Sequence, residues 1–405
     1  MYVKRQKYLD KLIKQKDKDI IKVITGIRRS GKSFLLFNIY RDYLVSVGIN
    51  DDHIIRINLE TKSNANLRNP DALYEYCVKQ IKDDARYYIF IDEIQFVENF
   101  EDVVNGLKID YNCDLYITGS NSKLLSKDIN TKMRGRSIEI KVYPLSFAEY
   151  FEYFGDDVRK RFNDYILYGG LPYLMQEDDN QGKIEYLKMI CDTVVTKDIV
   201  DRHDLKQENV FNAIVDFLCS SIGSYVSANK IADTLKSNGF TKISHDTVDN
   251  YLSYICDAFL FYKAERYDIK GKQYLKTLNK YYACDLGIRN SKLNYRQIEI
   301  THSLENVIYL DLLRRGYTVD IGKNNCKEID FVAKSSKDLF YIQVAYSIAE
   351  PQKNEQEVSS FYGLDDGYKK IVITMDEDPF TILKNGYKKI NVFDFLLNDN
   401  ALEEC

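Results

Sequence analysis

Eight residues near the amino terminus have the types and the order needed to surround a phosphate group. Residues 26–33 read Gly-Ile-Arg-Arg-Ser-Gly-Lys-Ser. Two glycines allow a tight turn whose N–H groups point at one anion, and a helix beginning there adds a favourable dipole. Lys32 has the reach to contact the β- and γ-phosphates, and the Ser33 hydroxyl is a ligand for Mg²⁺. The segment predicts an ATP site rather than an incidental glycine-rich turn. The residues expected to contact the nucleotide are Gly26, Arg28, Arg29, Ser30, Gly31, Lys32, Ser33 and Phe34.

A second segment adds the groups that hydrolysis requires. Residues 87–92 form a mostly apolar run of strand length that ends in Asp92, and Glu93 follows directly. Such a run suits a buried parallel strand whose carboxyl end opens onto a ligand. Asp92 is expected to hold Mg²⁺, and Glu93 to orient and deprotonate water. The alternative is an acidic pair that merely ends a strand. A water-activating glutamate favours a hydrolase over a small-molecule kinase.

The elements around these segments alternate between strand and helix, which predicts an α/β fold with a parallel sheet covered by helices. Helices are expected over 34–44, 70–82 and 97–107. The fold class is that of a P-loop NTPase. The five predicted strands are Ile20–Thr25, His53–Leu59, Tyr87–Asp92, Asp114–Thr118 and Ser137–Val142.

Two further groups could assist the chemistry. The fourth strand ends in polar residues, of which Asn121 or Ser120 is the candidate sensor of the γ-phosphate, with Asn121 the preferred choice and a plain turn as the alternative. Arg134 or Arg136, just before the fifth strand, could serve as an arginine finger. An ordinary solvated arginine is the alternative. Because such a finger usually comes from a neighbouring subunit, we expect a homo-oligomer.

Composition limits the class of protein. The 405 residues suffice for two to four domains, and a net charge of −4 gives no global attraction to nucleic acid or acidic membranes. The eight cysteines include no CxxC pair, which fits free thiols in a reducing compartment. No secretory segment and no apolar run of membrane length are present in the sequence. We therefore expect a cytoplasmic protein with no membrane partner.

The chain resembles the AAA-type ATPases of bacteria and archaea whose carboxyl-terminal half is a region of unknown function. Its matching segments are the phosphate loop with two arginines, residues 92–95, 118–122, 135–147, 169–172, 196–198, 280–285 and 328–331. The resemblance implies an ATPase core at 1–147, a helical lid at 148–205 and a winged helix at 206–292. It also implies a small α/β domain at 293–405, similar to PD-(D/E)XK nucleases. In related ATPases, a bend such as Gly169-Gly170 faces the nucleotide; a simple turn between helices is the alternative.

The predicted winged helix has candidate contacts for DNA. Residues 244–252 begin with a good helix cap, and 270–272 read as the turn of a hairpin. If DNA binds, His245, Thr247 and Asn250 would face the major groove, although Asp246 and Asp249 oppose this. Many winged helices only contact proteins. The lysines expected to meet phosphates are Lys270, Lys272, Lys276 and Lys280.

The last predicted domain contains a candidate metal site. Glu305 and Asp330 fit the metal roles, and Gln343 could offer one more oxygen. Nucleases of this fold keep a lysine two residues after the position of Gln343, where this chain has Ala345. The spacing of Lys334 gives no reason to expect it as a substitute. We therefore predict a degenerate nuclease fold retained for binding.

Together, these features predict an Mg²⁺-dependent ATPase. It would act as a nucleotide-driven switch coupled to a carboxyl-terminal half that binds DNA or a protein. Two alternatives stay open: an ATP-gated, metal-dependent nuclease, and an interaction module that binds ATP without hydrolysing it.

Overall fold

The chain forms two compact units. The first comprises residues 1–144 with 257–259, and the second comprises 145–256 with 260–405. The first unit thus ends close to the predicted limit at 147, and the rest of the chain, apart from 257–259, lies in the second unit. A computed structural model describes residues 2–125, 131–133, 135–240, 243–296, 298–378, 381–383 and 385–404.

A five-stranded sheet organises the first unit. Its strand order is β2-β3-β4-β1-β5, and every neighbouring pair is parallel. The predicted parallel sheet is confirmed. Because the strands run in one direction, the residues that follow β1, β3 and β4 emerge at the same edge. The strands are β1 (Ile21–Thr25), β2 (Ile54–Asn58), β3 (Tyr87–Asp92), β4 (Cys113–Gly119) and β5 (Ser137–Lys141).

Helices alternate with these strands. The segment after the phosphate loop starts as an α-helix, passes through a π-helical stretch at Leu35–Tyr40 and returns to an α-helix. Short 3₁₀ turns occupy Asp51–His53, Lys62–Arg68, Ile94–Phe96 and Ser122–Leu125. The α-helices are α1 (Gln6–Gln15), α2 (Lys32–Phe34), α3 (Arg41–Ser46), α4 (Pro70–Gln80) and α5 (Phe100–Asp110).

The core of the first unit lies on the central strands, of which β1, β3 and β4 are buried along their whole length. One charged side chain, Lys22, is fully buried in β1. Its ammonium pairs with Asp114, whose other oxygen accepts a hydrogen bond from Tyr116 at 2.8 Å. The pair satisfies a charge that burial would otherwise make costly.

The second unit begins with helices and continues with alternating helices and strands. A π-helical stretch, Val194–Val200, follows its third helix, and 3₁₀ turns occupy Pro172–Gln176 and Ser359–Phe361. No helix in the described part of the chain combines the length and the hydropathy that a bilayer crossing requires. The helices are α6 (Phe147–Phe154), α7 (Val158–Tyr168), α8 (Asn180–Thr193), α9 (Asp201–His203), α10 (Glu208–Ser220), α11 (Ala228–Ser237), α12 (His245–Asp257), α13 (Leu286–Lys292), α14 (Ile300–Arg315), α15 (Pro351–Val358) and α16 (Val392–Leu397).

A single eight-stranded sheet runs through this unit, in the order β13-β12-β11-β10-β9-β7-β8-β6. Strands β7 and β9 pair in parallel, so the sheet crosses the limit predicted at 292/293. The strands are β6 (Tyr225–Val226), β7 (Phe261–Asp268), β8 (Gln273–Ala283), β9 (Thr318–Asn324), β10 (Lys327–Lys334), β11 (Leu339–Ala345), β12 (Lys369–Thr374) and β13 (Lys388–Asn391).

The glycine bend at 169–170 is held by a buried carboxylate. Asp285 accepts hydrogen bonds from the N–H of Gly170 at 2.7 Å and from that of Ile288 at 3.1 Å, which also caps α13. A Cβ on Gly169 would lie 2.0 Å from Asp285 Oδ1, and one on Gly170 would lie 2.4 Å from the Leu145 carbonyl oxygen. Only glycine therefore fits at either position.

Asp285 should make the stability of the protein depend on pH. Burial raises the pKa of its carboxyl from an ordinary 3.8 to about 6, against the lowering effect of the backbone hydrogen bonds. At a pH between 3.8 and about 6, the Asp285 carboxyl is protonated in the folded chain but ionised in the unfolded chain. The free energy of unfolding should therefore fall by about 3 kcal/mol as the pH rises from about 4 to about 6. Urea unfolding across this range measures it. Asp285→Asn should lack this component, and parallel profiles for the two chains would contradict the assignment.

Candidate active site

The phosphate loop leaves the carboxyl end of β1 and enters α2. Gly26 has a φ of 146°, and a Cβ there would lie 2.0 Å from the Val142 carbonyl oxygen, so the turn requires glycine. Lys32 is 4% exposed, and its ammonium donates to the carbonyl oxygens of Gly26 at 2.9 Å and Ile27 at 3.1 Å. The lysine head is thus folded into the loop itself.

These atoms fit an anionic ligand. The Ser30 hydroxyl is buried, and within the described ranges it has no hydrogen-bond partner. A buried polar atom without a partner is costly, and a phosphate oxygen inside the loop would satisfy it. The Lys32 ammonium beside it supplies the positive charge that a phosphate requires.

The end of β3 supplies oxygens for a metal ion. Asp92 Oδ1 accepts hydrogen bonds from Ser33 Oγ at 2.9 Å and from Thr118 Oγ1 at 2.5 Å. Burial raises the pKa of Asp92, although both hydrogen bonds act in the opposite direction. Within the described ranges, no group of three or more His, Cys, Asp or Glu side chains is arranged to hold a metal. Mg²⁺ bound with a nucleotide needs fewer, because phosphates and water complete its shell. Ser33 and Asp92 fit this pattern.

Glu93 lies beside the lysine. Its Oε1 atom is 3.9 Å from Lys32 Nζ, and the side chain is 9% exposed. The residue has a φ of 56°, and its N–H donates to Thr118 Oγ1 at 3.0 Å. The left-handed backbone at Glu93 turns the chain sharply after Asp92. The two consecutive carboxylates therefore contact different side chains: Asp92 contacts Ser33 and Thr118, and Glu93 lies near Lys32. A carboxylate in this place could take a proton from water attacking a bound phosphate.

The polar end of β4 reaches the same place. Of the two candidate sensors, Ser120 has its Oγ 3.3 Å from Glu93 Oε2. The Asn121 side chain is buried, directly after it in the chain. Sequence reasoning did not assign Gln95, whose amide also donates to Glu93 Oε2. Its sequence neighbours gave no signal for this contact, because it depends on the backbone turn at Glu93.

The arginines differ in their positions. Arg28 pairs with Glu60 at 2.9 Å, and Arg29 is exposed with a φ of 67°. Arg136 is exposed, and its carbonyl oxygen accepts a hydrogen bond from Ile21 N–H at 2.7 Å. It therefore lies at the amino edge of the sheet, opposite the phosphate loop of its own chain. Arg134 falls outside the described residues.

Phe34 is the last residue predicted to contact the nucleotide. It is 43% exposed, and its ring centroid lies 5.3 Å from that of Tyr2 in an edge-to-face arrangement. The structure thus places an aromatic pair next to the phosphate loop. Tyr2 carried no signal in the sequence, because it precedes the first helix and belongs to no motif.

The second unit brings together the three residues of the predicted metal site. Gln343 Oε1 accepts a hydrogen bond from Asp330 N–H at 2.8 Å, and Asp330 Oδ2 accepts one from Val344 N–H at 2.8 Å. Glu305, on α14, raises the pKa of Asp330 through its charge, in addition to the larger effect of burial. Carboxylates from a helix and a strand therefore share one small region.

A lysine that the sequence assigned to DNA lies at this cluster. Lys280 on β8 is 4% exposed, and its ammonium is 3.0 Å from Glu305 Oε1 and 2.6 Å from Glu328 Oε1. Burial by itself lowers the pKa of Lys280, but the surrounding carboxylates of Glu305, Asp330 and Glu328 raise it above its ordinary value. The prediction that Lys280 meets DNA phosphates is wrong, because the side chain is buried and paired.

Other lysines near the predicted contacts are placed as follows. Lys270 and Lys272 are exposed at the β7–β8 turn, as expected for a hairpin tip. The side chain of Lys276 is outside the described residues.

Lys334 pairs with Asp320 at 2.9 Å rather than with Asp330. The position of Ala345 is buried. The ammonium at the acidic cluster therefore comes from Lys280 on β8 and not from the position of Ala345.

Two family models match parts of the chain. Residues 18–151 match a family model described as an AAA domain, and residues 159–299 match one described as a domain of unknown function. The ORC1 protein of Aeropyrum pernix, solved in complex with DNA, aligns with a TM-score of 0.30 and 12% identity, over 72% of this chain and 92% of that one. Residues 18–151, most of which lie in the first unit, are thus similar to an AAA domain.

Two curated proteins are similar over nearly the whole chain. An uncharacterized protein from Haemophilus influenzae is 39% identical over 401 residues, which is 98% of each chain. An uncharacterized protein from Methanocaldococcus jannaschii is 32% identical over 401 residues, covering 92% of this chain and 85% of that protein. The chain belongs to the family that includes these two proteins.

Proposed function

We propose that this protein binds ATP with Mg²⁺ and hydrolyses it, and that its nucleotide state controls binding of DNA or a protein by the second unit. One arrangement carries the proposal. The Lys32 ammonium, the Ser33–Asp92 oxygen pair and the Glu93 carboxylate meet at one loop. The buried hydroxyl of Ser30 in that loop has no hydrogen-bond partner among the residues that the structure describes.

Each residue has a distinct task. Lys32 exchanges its two carbonyl partners for phosphate oxygens, and Ser33 and Asp92 hold the metal. Mg²⁺, when bound, offsets charge on the phosphates. Glu93 takes a proton from the attacking water. Ser120 or Asn121 senses the γ-phosphate from the end of β4.

Arg136 remains the candidate arginine finger, and it would act on the nucleotide bound by a neighbouring subunit. Its position at the amino edge of the sheet, across from its own phosphate loop, supports a role in trans. Such a role requires self-association, so we propose a homo-oligomer. The mass of the protein in solution, measured with and without ATP, tests this requirement.

The second unit is proposed as a binding module. Its order of α10, β6, α11, α12, β7 and β8, with β8 between β6 and β7, supports a winged helix. The order of α14, β9, β10 and β11 around Glu305 and Asp330 supports a fold similar to PD-(D/E)XK nucleases. Because Lys280 already neutralises that acidic cluster, we favour binding over cleavage.

The helix predicted to face DNA exposes side chains of both kinds. His245 and Asn250 are exposed on α12, together with the acidic residues Asp246 and Asp249.

Phosphate release tests the central proposal. The full chain with ATP and Mg²⁺ should release phosphate, and chelation of the metal should stop it. Lys32→Ala removes the ammonium and should lower turnover by about a hundredfold or more. Lys14→Ala, which changes an exposed lysine on α1, is the matched control and should behave as wild type.

The same reactions distinguish the alternatives. With duplex or single-stranded DNA added, a changed rate would indicate coupling to nucleic acid. A wild-type chain that binds ATP but releases no phosphate would support the non-hydrolysing module. Supercoiled plasmid should stay intact with Mg²⁺ or Mn²⁺ and ATP, and cleavage would support the nuclease instead.

A further inference from the structure

The two oxygens of the Glu93 carboxylate have different partners. Oε2 accepts a hydrogen bond from the Gln95 amide and lies 3.3 Å from Ser120 Oγ. Oε1 faces the other way, 3.9 Å from the Lys32 ammonium. One oxygen is therefore anchored to protein donors while the other points toward the phosphate loop.

Local backbone geometry brings Gln95 to this place. Glu93 adopts a left-handed conformation and a 3₁₀ turn follows at Ile94–Phe96, which folds Gln95 back over the preceding carboxylate. A Cβ at Gly119 would lie 2.7 Å from Gln95 Oε1. The end of β4 thus leaves room for the glutamine amide, and a larger residue there would compete with it.

The amide has chemical properties that suit an anchor. Its Nε2 donates to a carboxylate without adding a charge that would compete for the phosphate. Its Oε1 is buried and has no hydrogen-bond partner in the part of the chain that the structure describes. The same Nε2 also lies 3.4 Å from Ser120 Oγ, so the donor end of the amide faces the Glu93 carboxylate and the hydroxyl that shares it.

We propose that Gln95 is a positioning residue for hydrolysis. By holding Oε2, together with Ser120, it fixes the carboxylate so that Oε1 faces the water beside a bound phosphate. This inference rests on the proposed function. Misplacement of a reacting group by about 1 Å can lower a rate by about two orders of magnitude, so a single neutral anchor has a large effect.

Gln95→Met tests the role in the full-length protein. Methionine has a similar length and shape but donates no hydrogen bond. We expect kcat for ATP to fall by about tenfold or more, with KM within about twofold of wild type, because the residue contacts Glu93 and not the nucleotide. Phe96→Leu is the matched control: it changes an exposed residue in the same turn and should leave both constants unchanged.

A double variant separates positioning from a general structural effect. If Gln95 acts through Glu93, then Gln95→Met in a Glu93→Gln background should cause no further loss of turnover. A further tenfold loss would overturn the proposal, as would wild-type kcat in the single variant. Gln95→Ala, carried in parallel, provides the same comparison if the methionine variant does not fold. A wild-type chain without turnover overturns the proposed function as well, whereas active wild type with an unaffected Gln95→Met overturns this inference alone.

Discussion

Replacing Glu93 with glutamine should lower ATP turnover by about two orders of magnitude or more, the usual size of a general-base effect. The amide keeps the shape of the side chain but cannot accept a proton from water. Lys32, Ser33 and Asp92 remain, so nucleotide affinity should be unchanged. Steady-state phosphate release gives the rate, and fluorescence anisotropy with a labelled nucleotide gives the affinity.

A matched control exists five residues along the chain. Glu98→Gln makes the same chemical change at an exposed position and should leave turnover at the wild-type level. Near-normal turnover in Glu93→Gln would remove Glu93 from its role. Loss of nucleotide affinity would instead indicate that the carboxylate stabilises the loop through Lys32.

Replacing Lys280 with methionine should destabilise the second unit by about 3–5 kcal/mol, as expected when a buried ion pair loses one partner. The change leaves Glu305 and Asp330 without the ammonium that compensates their charge. Urea unfolding followed by circular dichroism measures the loss. Hydrogen exchange at the amides of β8 and β10 locates it.

Lys263→Met provides the comparison on the neighbouring strand. Lys263 pairs with Glu265 at 2.9 Å, but both side chains are exposed, so the cost should stay below about 1 kcal/mol. Adding Glu305→Gln to the Lys280→Met chain should recover part of the lost stability, because it removes the carboxylate that Lys280 contacts at 3.0 Å. Equal losses for the two lysine variants would refute the importance of burial at Lys280.

The sequence was most informative where the relevant contacts are local. The phosphate loop and the strand ending in Asp92 could be predicted because each is a continuous segment whose residue types have a direct physical meaning. The alternation of strands and helices then placed their ends at one edge of a parallel sheet. The prediction of where α5 begins was less accurate. The helix was predicted to begin at Val97 but begins at Phe100, because a 3₁₀ turn and the left-handed Asn99 precede it.

Contacts between distant segments could not be predicted in this way. Lys22 and Asp114 are 92 residues apart, and nothing in the apolar run around Lys22 indicated its partner. Lys280 looked like a DNA-binding lysine because exposure cannot be read from a single position. Its partner Glu305 lies 25 residues further on, beyond a predicted domain limit.

The pairing of β7 with β9 affects how this protein can be divided. A cut at 292/293 would strip both strands of a neighbour and leave rows of open N–H and C=O groups, which invite aggregation. The strands on either side of that position are therefore parts of one folding unit. Gene fusions or truncations that retain only one side should yield insoluble fragments.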